Sequence, residues 1–412
     1  MKILITGANG FIGSALAAAL QSDGHEIVRV VRPRKRLKPG PGVSETGVFE
    51  IDMVQATRPE DWFPLLDGVE AVINCVGTLQ DSARDNTQAA HLDGPSALFH
   101  ASQRRGIRRV IHFSALGVDS LRPTPFSQTK YQGDEILSSL DLDWVILRPS
   151  VVLGGNVFGA SALIRGLALP LYPVMPDTGP LQVVTLEDVV RTVRFFVDPQ
   201  APGRLTLELA GPERQSFDDL VATYRRWLGW RPAKGFSLPR PVAKLFYGLG
   251  DMASTLGWRP AVRGTAGIEM QRGAAGDPGP WTEVTGRPPT RLEAALSASP
   301  AGVQERWFAR AYFIKPLVFV VLPLFWIGTG IISLTSGWER GVQLMAVGGG
   351  GPVVCAQCGG RCAGRHGRGR GHCLQAVSKT GALWCHCPVR LLCAVGNFYP
   401  ARSVERSVRA IS

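Results

Sequence analysis

Ile3-Leu-Ile-Thr-Gly7-Ala-Asn9-Gly10-Phe11-Ile12-Gly13 opens the chain with an apolar, β-branched run, then three glycines spaced three residues apart, then a stretch rich in alanine and leucine. A strand, a tight turn and a helix account for every residue in it. Gly7 permits the turn, Gly10 lets the backbone approach a pyrophosphate, and Gly13 lets the helix sit close to the sheet, while the helix N-terminus offers N–H groups to an anion. Gly7, Asn9, Gly10, Phe11, Ile12 and Gly13 therefore form the first candidate binding set. Lys2 followed by an apolar run ending near Ala15 to Ala19 imitates a secretory leader, but the glycines would break a leader helix.

Outward from this turn, apolar runs alternate with helical patterns: Glu26 to Val31, Val48 to Ile51, Ala71 to Val76, Val110 to Ser114 and Trp144 to Leu147. Near-continuous apolar strands separated by helices describe a parallel sheet covered on both faces. The expected fold is α/β, a doubly wound parallel sheet (Rossmann) over residues 1–150. A smaller, proline- and glycine-rich substrate-side lobe is expected over 151–300, with helices at Leu186 to Val197 and Phe217 to Leu228.

Cofactor choice turns on the end of the second strand. A carboxylate there would hold the ribose hydroxyls of NAD, whereas this chain has Arg32, 19 residues past Gly13, followed by Arg34, Lys35 and Arg36. The planar guanidinium suits a 2'-phosphate, so NADP(H) is the favoured cofactor, NAD being the alternative. The competing reading of the run is a solvated basic loop. The formal charge of +12 owes eight units to the last 62 residues, which set nine Lys/Arg against the single acid Glu405. The body is nearly balanced, so no nucleic-acid partner is expected. Cys75 is the sole cysteine among the first 350 residues, which argues for a reducing compartment.

The segments Thr6-Gly-Ala-Asn-Gly-Phe-Ile-Gly13, Asp52, Ala71-Val-Ile-Asn-Cys-Val-Gly77, Val110-Ile-His-Phe-Ser-Ala-Leu-Gly117 and Leu147-Arg-Pro-Ser150 together resemble the extended and atypical short-chain dehydrogenases/reductases, over roughly residues 1 to 215. The resemblance implies that Asp52 and Met53 sit near the adenine, that Asn74, Val76 and Gly77 pass under the cofactor, and that Ser114 and Lys130 hold two places of a serine–tyrosine–lysine catalytic set. The tyrosine place is Phe126, in Phe126-Ser-Gln-Thr-Lys130, and phenylalanine has no proton to give. Tyr131 follows one residue after Lys130 and faces elsewhere on a helix. Such losses resemble those of the nucleotide-binding accessory subunit of respiratory complex I, which binds cofactor without evident turnover. His91 and His112 read as packing residues.

Leu317 to Leu334 carries no charge, and at about 1.5 Å per residue it matches a bilayer core of about 30 Å. A buried core helix is the alternative. Arg306, Arg310 and Lys315 precede it, which places the N-terminal part in the cytoplasm. Gly257-Trp-Arg-Pro260, Trp281 to Gly286, Gln304 to Phe308 and this apolar span resemble bacterial family members with a DoxX-like membrane module, here with one helix and the start of a second at Gly341 to Val347. The membrane segment is set at 301–350. Residues 351–412 turn abruptly to Cys, Gly and Arg. They read as an out-of-frame continuation of lost membrane helices, with an unstructured basic tail and a zinc site as alternatives. The irregular ligand spacing favours no metal. Two functions remain: a membrane-tethered NADP(H)-dependent reductase or epimerase-like enzyme with an unknown small-molecule substrate, or a protein that binds NADP(H) structurally or as a redox sensor.

Overall fold

The computed structural model describes residues 1–33, 47–82, 85–119, 124–154, 159–170, 172–255, 260, 262–340 and 343. The basic run Arg34, Lys35, Arg36, the segment 257–259, nearly all of the expected second membrane helix and the whole of the 351–412 tail lie outside these residues.

The first half alternates as expected: β1 (Lys2–Thr6), α1 (Phe11–Ser22), β2 (Glu26–Val31), β3 (Val48–Glu50), β4 (Ala71–Asn74), a single π-turn (Ala89–Asp93) leading into α2 (Gly94–Arg104), β5 (Arg109–Phe113), α3 (Pro125–Ser139) and β6 (Asp143–Pro149). The chain continues through β7 (Val151–Leu153), α4 (Gly159–Leu167), β8 (Tyr172–Val174), β9 (Leu181–Thr185), α5 (Leu186–Val197) and β10 (Leu205–Leu209). One seven-stranded sheet has the order β10-β6-β5-β4-β1-β2-β3, and all of its pairings are parallel. The order reverses between β1 and β4, and in such sheets the crevice beyond the strand ends at that reversal is where ligands bind.

Side chains along each strand alternate between two cores. Ile3 and Ile5 of β1, Ile73 of β4, Ile111 of β5 and Leu147 of β6 pack with Leu16 and Leu20 of α1 and Val189, Val193 and Phe196 of α5. Leu4, Val72, Val110 and Ile146 point the other way, to Leu98 and Phe99 of α2 and Leu137 of α3. Both faces are thus covered, which is why these strands carry apolar residues at every position. Truncating one of the fully buried leucines to alanine costs about 2–5 kcal/mol.

The sheet does not end at residue 150. Its outer strand β10 comes from residues 205–209, after an excursion that builds a small lobe. That lobe has a three-stranded sheet, β11-β9-β7, with β11 at Arg214–Gln215, and a parallel pair in which β12 (Gly235–Ser237) lies beside β8. Its core gathers Leu153, Ile164, Tyr172, Val183, Phe217 and Leu220, the last two from α6 (Phe217–Trp227). Four short helices follow α7 (Arg240–Thr255): α8 (Gly264–Arg272), α9 (Gly279–Thr285), α10 (Leu292–Ala298) and α11 (Val303–Ala311). Trp281 of α9 is buried and donates to Thr192 Oγ1 of α5 at 3.0 Å.

The last described helix, α12 (Ile314–Leu334), is 21 residues long and buries none of them. Joined with α11, it gives a span long and apolar enough to cross a membrane. Pro323 lies inside it, and the division of the chain into two compact units, Met1–Pro323 and Leu324–Ser412, falls at that residue.

Candidate functional site

The site is built at the reversal of strand order. β1 ends at Thr6, and Gly7 turns the chain with φ of 67°, a left-handed conformation that costs other residues about 1–2 kcal/mol. A Cβ on Gly7 would stand 3.0 Å from Cys75 O at the end of β4, and one on Gly13 would stand 2.3 Å from Gly7 O. These are backbone atoms that cannot swing aside. Gly10 is the N-cap of α1 and brings no capping side chain, and the helix's own ladder begins with Ser14 N–H donating to Gly10 O at 3.0 Å. The amides of Ile12 and Gly13 precede that bond and lie at the positive end of the helix dipole, where phosphate is favoured. The cradle therefore fits a pyrophosphate. Asn9 is exposed at the tip of the turn, and the Phe11 ring lies against Gly154.

On the far side of the crevice Asn74 is fully buried. Its Oδ1 accepts from Thr6 Oγ1 at 2.6 Å and from the Val76 amide at 3.3 Å, which ties β1 to the loop after β4. Lys130, from α3, donates to Phe113 O at 2.6 Å and to Val76 O at 3.3 Å, and its Nζ would lie 3.5 Å from a Cβ on Gly77. Burial, only partly offset by Asp134, pulls the Lys130 ammonium down to about 8, so it stays mostly protonated at neutral pH. Val76, Gly77 and Lys130 are thus brought together.

Arg32 is half-exposed at the end of β2, and Nη1 donates to the buried carboxylate of Asp85 at 2.7 Å. Asp85, from the loop after β4, is also held by Ser82. Nothing in the sequence marks Asp85, 53 positions away, as a neighbour of Arg32. Asp52 turns back to accept from the Val54 amide at 3.1 Å, and Met53 packs its sulfur against Gly94. Both lie just past β3.

The other half of the site departs further from the expected chemistry. Ser114 is buried just past β5, and its hydroxyl donates to Asp134 Oδ2 at 2.8 Å. Arg148 donates to the same oxygen through Nε and Nη2, and His112 Nε2 is 3.5 Å from the other. Burial alone would lift the Asp134 carboxyl, but His112, Arg148 and Ser114 outweigh it and hold it below its ordinary range. His112 Nδ1 meets Asn74 Nδ2 at 3.0 Å, so a buried polar chain runs from Thr6 through Asn74 and His112 to Asp134 and Ser114. Ser114 serves that chain.

Phe126, on the first turn of α3, meets the His91 ring edge-on at 5.5 Å between centroids. His91 accepts from the Thr78 amide at Nε2 (3.0 Å) and lies 2.8 Å from Thr129 Oγ1 at Nδ1. Thr129 donates its own proton to Pro125 O, so Nδ1 is the protonated nitrogen and the ring is neutral. Burial, reinforced by the nearby Lys130, pulls the His91 imidazolium down to about 2. His91 packs as expected, and it also fixes the loop that passes beneath Gly77. Asp134 had a legible signal, four residues after Lys130 on the same helix face; His91 had none.

Residues 7–162 match the NAD(P)H-binding family. They form an NAD(P)-binding Rossmann domain of the NAD-dependent epimerase and short-chain dehydrogenase type. An uncharacterised protein of Mycobacterium tuberculosis is 28% identical over 216 residues, half of this chain but only 22% of that protein's length. The ceramide reductase of Caulobacter vibrioides is 23% identical over 265 residues, covering 64% of this chain and 81% of the reductase. Among solved structures, MoeE5 in complex with UDP-glucuronic acid and NAD superposes with a TM-score of 0.54 at 19% identity, over 76% of this chain and all of MoeE5. At that identity the likeness speaks for the fold. The glycine turn, Lys130, Phe126 and the Ser114–Asp134 pair all lie within the matched stretch.

Proposed function

We propose that the chain is a membrane-associated NADP(H)-binding protein of the oxidoreductase or epimerase-like type, with chemistry altered from the serine–tyrosine–lysine scheme. The observation that carries the binding half is the cradle: the first strand-to-helix junction can hold only glycine at positions 7 and 13, and it aims α1 at the crevice where the strand order reverses. The residue at the end of β2 is a half-exposed arginine, paired with Asp85, and that guanidinium supports NADP(H) over NAD. Bound dinucleotide would supply the hydride. Lys130 would hold ribose hydroxyls, and Val76 and Gly77 would lie beneath the ring.

The acceptor would be a carbonyl on a hydrophobic molecule at the bilayer. The likeness to a ceramide reductase and the exposed, uncharged α12 support that reading, with the Rossmann domain on the cytoplasmic side. A second reading, a protein that binds NADP(H) without turning it over, is favoured by Phe126 and by the capture of the Ser114 hydroxyl by Asp134. One experiment separates them. The purified protein is titrated with NADPH and its oxidation followed with panels of lipid-like carbonyls and quinones, beside a Phe126→Tyr variant. Turnover by the parent protein establishes the enzyme, activity appearing only in the variant establishes the binder, and failure to bind either dinucleotide sinks both.

A further inference from the structure

Helix α7 is packed the opposite way from an ordinary surface helix. Its small residues face inward: Ala243, Gly250 and Ser254 are buried, and a Cβ on Gly250 would stand 1.9 Å from Val262 O, so the helix is pressed tightly against the segment leading to α8. Its large apolar residues face out. Leu245 is 62% exposed, Met252 57%, Phe246 50%, Leu249 47% and Val242 38%. At 100° per residue these five fall within an arc of about 120°. An amphipathic helix normally buries that arc.

The charges on α7 are distributed to match. Lys244 is exposed at the flank of the arc, and Arg240 is exposed at the helix start, held by Asp177. The one acid of the helix, Asp251, is turned inward to the Gly264 amide and Gln80. Asp177 is itself half-exposed and offsets Arg240, so Lys244 is the cation that remains beside the apolar arc, and such an arc suits the headgroup layer of an anionic bilayer. The same lobe is joined to the bilayer-length helix with almost no linker: α11 docks on it through buried Ala309 and an Arg306 bond to Leu228 O, and α12 begins three residues after α11 ends.

We infer that α7 is an interfacial helix that lays Val242, Leu245, Phe246, Leu249 and Met252 into the surface of the bilayer that α12 crosses. This rests on the membrane reading of α12. The small lobe is thereby held flat on the membrane, and a lipid acceptor would reach the Rossmann domain from the headgroup layer without crossing bulk water.

The test uses the full chain reconstituted at one copy per lipid nanodisc containing phosphatidylglycerol. An environment-sensitive fluorescent amino acid replaces Leu245, Leu249, Phe325 of α12 or the solvent-facing Gln200, one at a time, and acyl-chain-brominated lipid is the quencher. Quenching at 245 and 249 at least about threefold stronger than at 200 is the expected result. A Leu245→Asp, Leu249→Asp pair should abolish quenching of a reporter at 252 while leaving thermal stability unchanged, since both side chains are exposed. Strong quenching at 325 with none at 245 and 249 would overturn the inference and leave the membrane reading standing. A blue-shifted but unquenched 245 would mean that protein covers the arc, and would overturn it too. No quenching at 325 would remove both.

Discussion

The two halves of the crevice have diverged in opposite senses. On the β1–α1 side every feature needed to grip a dinucleotide is in place, down to backbone oxygens that leave no room for a side chain at positions 7 and 13. On the β5–α3 side the side chains are tied to one another: Ser114 and Asp134 belong to a buried chain with His112 and Arg148, and Phe126 packs on His91. Binding and chemistry are separable because they rest on different elements. The first uses backbone amides at a strand-to-helix turn, whereas the second needs side chains with a titratable proton at the right place.

Asp134→Ala gives the sharpest break between the halves. It strips Arg148 and His112 of their buried carboxylate and should cost about 3 kcal/mol of stability, seen in denaturant unfolding. NADPH affinity measured below pH 7, where Lys130 keeps its proton, should stay within about threefold of the parent. A large loss of affinity would show that the two sides are one unit. Arg32→Asp acts on the cofactor side. It should weaken NADPH by about 2–3 kcal/mol while sparing NADH, because it sets a carboxylate where a 2'-phosphate would lie, and it should also lower stability, because the buried Asp85 carboxylate then faces a like charge. Equal losses for the two dinucleotides would leave the NADP(H) preference without its residue.

The histidines make the fold acid-sensitive. His91 and His112 are both held below their ordinary range, chiefly by burial, so the unfolded chain takes up protons that the folded chain refuses. Stability from His91 is fully present above about pH 6.5 and falls by about 1.4 kcal/mol per pH unit below it, and His112 acts in the same direction. His91→Gln should flatten the slope in urea midpoints between pH 6.5 and pH 5. An unchanged slope would mean that His91 is not the proton acceptor of unfolding. The smallest effect is alkaline. NADPH affinity, by calorimetric titration, should fall by about tenfold or less as pH rises through the Lys130 value of about 8, and Lys130→Met should remove that dependence. A flat profile in the parent would take Lys130 out of the cofactor site.

The strands were legible because a sheet covered on both faces demands continuous apolar runs. β2 and α5 fall where the pattern put them, and β5 and β6 differ by one or two residues at their ends. The glycine turn was legible for a similar reason, since local backbone geometry fixes its place, whereas Lys130 entered only through the family resemblance. The seventh strand was not. β10 completes the large sheet from residues 205–209, past the expected limit of 150, and strand pairing across that distance leaves no trace in a local pattern. The Ser114 hydroxyl's commitment to Asp134 was hidden too, 20 residues away.

By itself the sequence determined a parallel α/β fold, a pyrophosphate cradle and one bilayer-length apolar helix, since each follows from residue type at short range. Tertiary structure alone decided that Arg32 is met by Asp85, that Ser114 is tied into a buried network, and that α7 turns its large apolar residues outward. Those outcomes depend on which distant groups share a low-dielectric interior, and packing settles that after the chain has closed.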